Sequence, residues 1–159
     1  MKVYQTDKIR NLALIGHSGS GKTTLTEAIL FVTGVTKRQG KVDDGNTVSD
    51  FDKEEIARKV SIGTTVIPTE LNDIKYNFLD TPGYFDFAGE MYGALKASEG
   101  ALLLVDASSG VEVGTEKSWK YTEGNNIPRI IFLNKMDKEN VNFEKVLNNI
   151  KENFGDKVV

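Results

Sequence analysis

The sequence predicts an α/β domain, a mostly parallel sheet with helices on both faces. Three observations carry this. Short apolar runs alternate with longer segments whose apolar residues recur at i, i+3, i+4 and i+7. The runs are four to eight residues long, strand length rather than helix length. A glycine-rich turn joins the first run to the first periodic segment. In such a sheet, ligands gather at the carboxyl ends of the strands.

Taken in order, residues 9–15 form the first strand, and Leu25, Ala28, Ile29 and Val32 mark the first helix. From about residue 34 to 59 the periodicity fades into a polar stretch containing Gly40 and Gly45. It is too long for a simple connection and reads as a mobile functional loop. Residues 60–67 are β-branched and alternating, and residues 76–79 make a second strand. The intervening 68–75, with Asn72 and Asp73, reads as a turn, which makes the pair a hairpin. Ala88, Met91, Tyr92 and Leu95 give the next helix, and 101–105 is a fully apolar, buried strand. Residues 115–123 are a weaker helix ending near Gly124, and 129–133 the last buried strand. Phe143, Val146, Leu147, Ile150 and Phe154 define the closing helix.

The chain's 159 residues allow one domain with a sizeable core, and 39% hydrophobic with 27% charged residues is ordinary globular composition. Lys and Arg total 20 against 23 Asp and Glu, a formal net charge of -3. That balance offers no global attraction to nucleic acid, so no direct sequence-specific nucleic-acid binding is expected. With no cysteine, disulfides and thiolate metal sites are excluded. The N-terminus lacks a signal-peptide core and no apolar run approaches spanning length, so the expected address is the cytoplasm, with no membrane partner.

Gly16-His17-Ser18-Gly19-Ser20-Gly21-Lys22-Thr23 fits G-x-x-x-x-G-K-[ST] between a strand and a helix, the context that a P-loop requires. Its glycines let backbone N–H groups turn toward phosphates, and the helix N-terminus adds partial positive charge. The expected binding set runs through Thr24. Lys22 is expected to reach the β- and γ-phosphates and the Thr23 hydroxyl to ligate Mg²⁺. His17, the only histidine, is expected to prop the loop.

Asp80-Thr81-Pro82-Gly83 follows the second hairpin strand. Asp80 there can hold Mg²⁺ through water, and the Gly83 amide can sense a γ-phosphate. Asn134-Lys135-Met136-Asp137 follows the last strand. In P-loop GTPases this run reads guanine: the carboxylate accepts from N1–H and the exocyclic amine, donors that adenine does not present in that arrangement. Adenine would leave Asp137 unpaired, at roughly 1.5 to 3 kcal/mol per lost charged hydrogen bond. A nucleotide kinase or ATPase conflicts with this run.

With these motifs, and with Asp44-Gly45, Tyr84-Phe85-Asp86-Phe87, Val105-Asp106-Ala107 and Gly110-Val111-Glu112, the chain resembles the translational GTPases. It is most similar to the amino-terminal domain of elongation factor G and its paralogues, from about Ile9 onward. The resemblance implies a P-loop NTPase fold, GTP as substrate, GDP as product, Mg²⁺ as cofactor and the ribosome as partner of the whole protein. It implies that 1–159 is a partial GTP-binding domain, lacking its last strand, last helix and downstream domains. It places Ser61 where the family's first switch carries a Mg²⁺-ligating threonine, after Lys59 in place of a usual glycine. Gly19 stands at a common aspartate.

Tyr84 stands where most members carry the histidine that positions the attacking water, and these departures resemble the divergent second form of elongation factor G. A phenol donates or accepts one hydrogen bond and has no cationic form in water, so it cannot supply positive charge. The catalytic set is therefore Lys22, Asp80, Gly83 and Tyr84. The alternative is a GTP-dependent ribosome-binding module with poor hydrolysis. Glu54, Glu55, Arg58 and Lys59 read as a solvated helix face, and Trp119 and Tyr121 as half-buried packing.

Overall fold

The computed structural model describes residues 2–155 and Val158. Its sheet has the order β2-β3-β1-β4-β5. The central strand is β1 (Ile9–Gly16), which pairs parallel with β3 (Ile74–Asp80) on one side and β4 (Gly100–Asp106) on the other. Beyond β4, β5 (Arg129–Asn134) is parallel too, whereas β2 (Thr65–Leu71) closes an antiparallel hairpin with β3. The fold class is thus the one the sequence predicts.

Burial explains the two continuous apolar runs. Ala13, Leu14 and Ile15 of β1 and Leu103, Leu104 and Val105 of β4 are fully enclosed, because central parallel strands are covered on both faces. On one face, α3 (Ala88–Lys96) and α4 (Val113–Gly124) bury Met91, Ala94 and Leu95 against Ala13, Ile15, Ala101 and Leu103. On the same face α5 (Phe143–Phe154) sets Val146 and Ile150 on Val105. Trp119 stacks on Phe154 with ring centroids 4.3 Å apart and Tyr121 on Tyr92 at 4.2 Å, so both aromatics are packing residues. The other face carries α1 (Lys22–Val32), over the β1 and β3 side.

Three expectations shift. Strand β2 starts at Thr65 rather than residue 60, because the amides before it are taken by side chains: Ile62 and Gly63 donate to Glu55, and Thr64 to Glu90. It includes Pro68, tolerated because β2 is an edge strand with a free side. Strand β5 is half-covered rather than buried: Ile131 and Leu133 join the core, while Ile130 is 70% and Phe132 38% exposed. Period-2 alternation turns these two onto the α1 face, at a strand beyond the reach of α1, which lies over β1 and β3. The hairpin turn is a two-residue one, with Asn72 and Asp73 both at positive φ, as a primed turn needs.

The 34–59 stretch is built rather than featureless. Glu27 of α1, 1% exposed, accepts hydrogen bonds from the Gly40 and Val48 amides. The short helix α2 (Lys53–Arg58) begins with a capping box between Asp52 and Glu55. Glu55 is therefore buried and fully used, which corrects its reading as part of a solvated face; Glu54 and Arg58 do form the exposed pair.

Enclosure predicts the stability map. Leu103→Ala should cost about 2–5 kcal/mol in chemical denaturation and Ile130→Ala about 0.5 kcal/mol or less. Equal costs would mean that the β5 face is covered.

Candidate functional site

The site is assembled where β1, β3 and β5 end. The loop after β1 turns into α1 through Gly21, whose φ of 96° is left-handed and open to glycine at no steric cost. No side chain caps α1, so its first amides are free to face an anion. They border a cleft of about 350 Å³ lined by Ser18, Gly19, Gly21, Lys22, Thr23 and Thr24. Asp50 and Ser61 from the long loop, Gly83 and Tyr84 from the turn after β3, and Lys135 complete its walls.

Lys22 is buried, and its Nζ donates to the carbonyls of Gly16 at 3.1 Å and His17 at 2.9 Å. Burial pushes its ammonium down to about 8, against the pull of Asp80 and Asp50. Gly83 must be glycine for closeness rather than dihedral freedom: a Cβ there would lie 2.6 Å from Lys22 Nζ and 2.7 Å from the Ser18 nitrogen.

Opposite Lys22 stands Asp80, 1% exposed, with neither carboxylate oxygen in a hydrogen bond. Burial pushes its carboxyl up to about 6, although Lys22 and the nearby Ser49 and Thr23 hydroxyls moderate the rise. Thr23 Oγ1 and Ser61 Oγ lie 3.1 Å apart, bringing together two of the three residues expected at a metal. Asp50 adds a second buried carboxylate with an unpartnered oxygen, and burial raises its carboxyl too. No local pattern singles out Asp50, one of several acids in a polar stretch. Two hydroxyls beside orphaned carboxylate oxygens are a donor set that fits Mg²⁺, which takes few protein oxygens and completes its shell with phosphate and water. Among the described residues no cluster of three His, Cys, Asp or Glu could hold a metal instead.

The run after β5 splits. Asn134 Nδ2 donates to the Ser20 carbonyl at 2.8 Å, and Lys135 Nζ donates to the Gly19 carbonyl at 2.6 Å and Asp106 Oδ2 at 2.7 Å. Burial alone would raise the Asp106 carboxyl, but hydrogen bonds from Lys135 and Ser108 outweigh it and hold the group well below the usual range. Asn134 and Lys135 thus fasten this turn to the phosphate loop. Asp137 is exposed and makes no hydrogen bond or ion pair with a described residue. His17 does prop the loop: Nδ1 accepts from the Gly114 amide at 3.2 Å, and Nε2 lies 3.6 Å from Glu112. Ser20 is buried with an unpartnered hydroxyl. Tyr84, 48% exposed, stands on the wall between the phosphate cleft and an apolar cavity of about 180 Å³ under Phe85 and Met91.

Residues 7–159 match the family described as the elongation factor Tu GTP binding domain. The chain belongs to that family. The mitochondrial ribosome-releasing factor 2 of Pongo abelii is 42% identical over 145 residues, covering 91% of this chain and 19% of that protein. The elongation factor G-like protein of Mycobacterium tuberculosis is 40% identical over 151 residues, 95% of this chain and 21% of its own. A crystal structure of a Thermus thermophilus protein superimposes with a TM-score of 0.89 at 40% identity, covering 93% of this chain and 22% of that one. The chain therefore spans about a fifth of the length of these relatives. As a member of the GTP-binding family, it is not favoured as a binding module with poor hydrolysis. No helix among the described residues is long and apolar enough to cross a membrane.

The buried lysine sets a pH dependence. A phosphate needs the charged ammonium, and an ammonium depressed to about 8 loses its proton as pH rises through that value. Affinity for GDP should fall about fourfold from pH 7 to 8.5, with proton uptake on binding. Calorimetry in buffers of different ionisation heat reads both; a flat profile would mean Lys22 stays charged without nucleotide.

Proposed function

We propose that residues 1–159 act as the GTP-binding and GTP-hydrolysing domain of a ribosome-associated, translocase-like elongation factor working in the cytoplasm. One observation carries it most: a buried lysine faces two buried carboxylates with unpartnered oxygens, across a cleft rimmed by free helix amides and two paired hydroxyls. That charge set is complementary to a nucleotide phosphate with a divalent cation.

In this reading Lys22 and the amides of residues 18–24 hold the β- and γ-phosphates, and Gly83 offers its amide to the γ-phosphate. Thr23 and Ser61 would hold Mg²⁺ directly and Asp80 through water. When bound, the ion neutralises charge on the phosphate oxygens. Tyr84 orients a water by a single hydrogen bond. That water's oxygen bonds to the γ-phosphorus, the bond to the β–γ bridging oxygen breaks, and GDP and phosphate leave. Asn134 and Lys135 brace the base pocket, and Asp137 turns onto guanine N1–H and the exocyclic amine. The ribosome is a partner of the whole protein, of which this chain supplies the switch.

Fluorescent GDP, competed with unlabelled GTP, GDP and ATP with and without Mg²⁺, tests the reading. Guanine nucleotides should compete at least a hundredfold better than ATP, and Asp137→Ala, which removes two charged hydrogen bonds, should cost roughly 3–6 kcal/mol of guanine affinity while leaving ATP competition unchanged. Equal competition by ATP would overturn the guanine assignment.

A further inference from the structure

Lys59 ends α2 at φ 56°, ψ 39°, in the left-handed region where a side chain crowds the backbone and glycine does not. Six described non-glycine residues have positive φ. Four of them, Asn72, Asp73, Asn126 and Asn140, are of the types that tolerate it. The two that remain are lysines, Lys59 and Lys135, and both line the phosphate cleft. For Lys135 the reason is visible, since its ammonium bonds the phosphate loop. An unfavoured conformation kept where a side chain meets a site points to a use for that side chain.

The backbone around Lys59 is pinned. Buried Glu55 holds the amides of Ile62 and Gly63, so α2 and the segment after it are tied on both sides of the residue. Two positions on, Ser61 faces Thr23. The side chain itself is less committed. Its Nζ lies 3.7 Å from Asp43 Oδ1, in a pair that is 54% and 89% exposed, and such pairs contribute little. Of the cleft's three lysines, Lys22 is buried under the phosphate loop and Lys135 is held by Gly19 and Asp106. Among the described residues lining the cleft Lys59 is the available cation, and it comes from the loop side, where Asp43 and Asp50 otherwise make the wall acidic. Tyr84, the side chain nearest the water's approach in the proposed reaction, brings no positive charge.

The geometry points to Lys59 as a catalytic cation supplied within the chain. Its ammonium leaves Asp43 for the γ-phosphate oxygens and stabilises the charge that develops as the β–γ bond breaks. This is the role that an arginine finger provided in cis fills in other GTP-hydrolysing switches. Lysine does so as a point charge rather than a fork. Asp43 is its resting partner, and the left-handed turn aims it. The inference rests on the cleft being a GTP site, and no bond to Lys59 forms or breaks.

The test compares wild type, Lys59→Gly and Lys59→Arg in binding of GDP, binding of GDP with aluminium fluoride as a transition-state mimic, single-turnover GTP hydrolysis and melting temperature. Glycine relieves the backbone, so Lys59→Gly should melt at or above the wild-type temperature and bind GDP within twofold. It should lose at least tenfold in affinity for the aluminium fluoride complex and at least tenfold in hydrolysis rate, and Lys59→Arg should keep most of both. A glycine variant matching wild type in mimic affinity and turnover overturns the role of Lys59 and leaves the GTP site standing. Wild type that binds GDP yet forms no mimic complex also overturns it. Wild type that binds no GDP overturns the GTP site, and Lys59 with it.

Discussion

The structure turns on a buried lysine set against two buried carboxylates. Lys22, Asp80 and Asp50 share a small volume at the carboxyl end of the sheet, and each is displaced from its ordinary titration by burial. Holding Asp80 ionised when its carboxyl has risen from 3.8 to about 6 costs the folded chain roughly 3 kcal/mol at neutral pH. By linkage the cost is full above pH 6 and fades as pH falls from 6 to 3.8, below which both states are protonated. The proposed function would remove that cost, with a phosphate meeting the lysine and a hard cation the carboxylates.

The elements around this cluster are arranged to keep it in place. Strands β1 and β3 run parallel and in register up to Leu14 and Asp80, so the glycine-rich loop and Asp80 emerge side by side. Thr81 locks the second of these turns by donating to the Leu14 carbonyl at 2.6 Å. The long loop, lacking a ladder of its own, is anchored by two buried carboxylates instead, Glu27 at its start and Glu55 at its end. These clamps bring Asp50 and Ser61 to the phosphate cleft, and they bring Lys59 with them. The same network that shapes the wall carrying Asp50 and Ser61 thus positions Lys59.

Much of this was legible in the sequence, for local reasons. The fold class followed from apolar periodicity, and the phosphate loop from glycine spacing, because both are written in neighbouring residues. The order of strand, loop and helix around Lys22, the hairpin, and the packing of Trp119 and Tyr121 were readable in the same way. What escaped were the long-range clamps. Nothing adjacent to Glu27 announces that its carboxylate will hold amides 13 and 21 positions away. Glu55 reads as solvated in sequence because the amides it holds, Ile62 and Gly63, lie beyond its helix, and the start of β2 is displaced for the same reason, since side chains claim the amides before it. Asp50 was hidden among equivalent acids. Asn134 and Lys135 reach the phosphate loop across more than a hundred positions, contacts that the run itself does not announce, whereas Asp137 faces solvent.

The most direct measurement is the thermal stability of wild type and Asp80→Asn at pH 7.5, each alone, with GDP, and with GDP plus Mg²⁺. If the buried carboxylate is kept for a cation, the asparagine chain without ligand should be at least as stable as wild type. It should also lose most of the extra stabilisation that Mg²⁺ adds to GDP. An asparagine chain that is less stable alone, and that still gains the full Mg²⁺-dependent shift, would contradict the account: Asp80 would then be a structural charge satisfied by Lys22, and the cation would be held elsewhere.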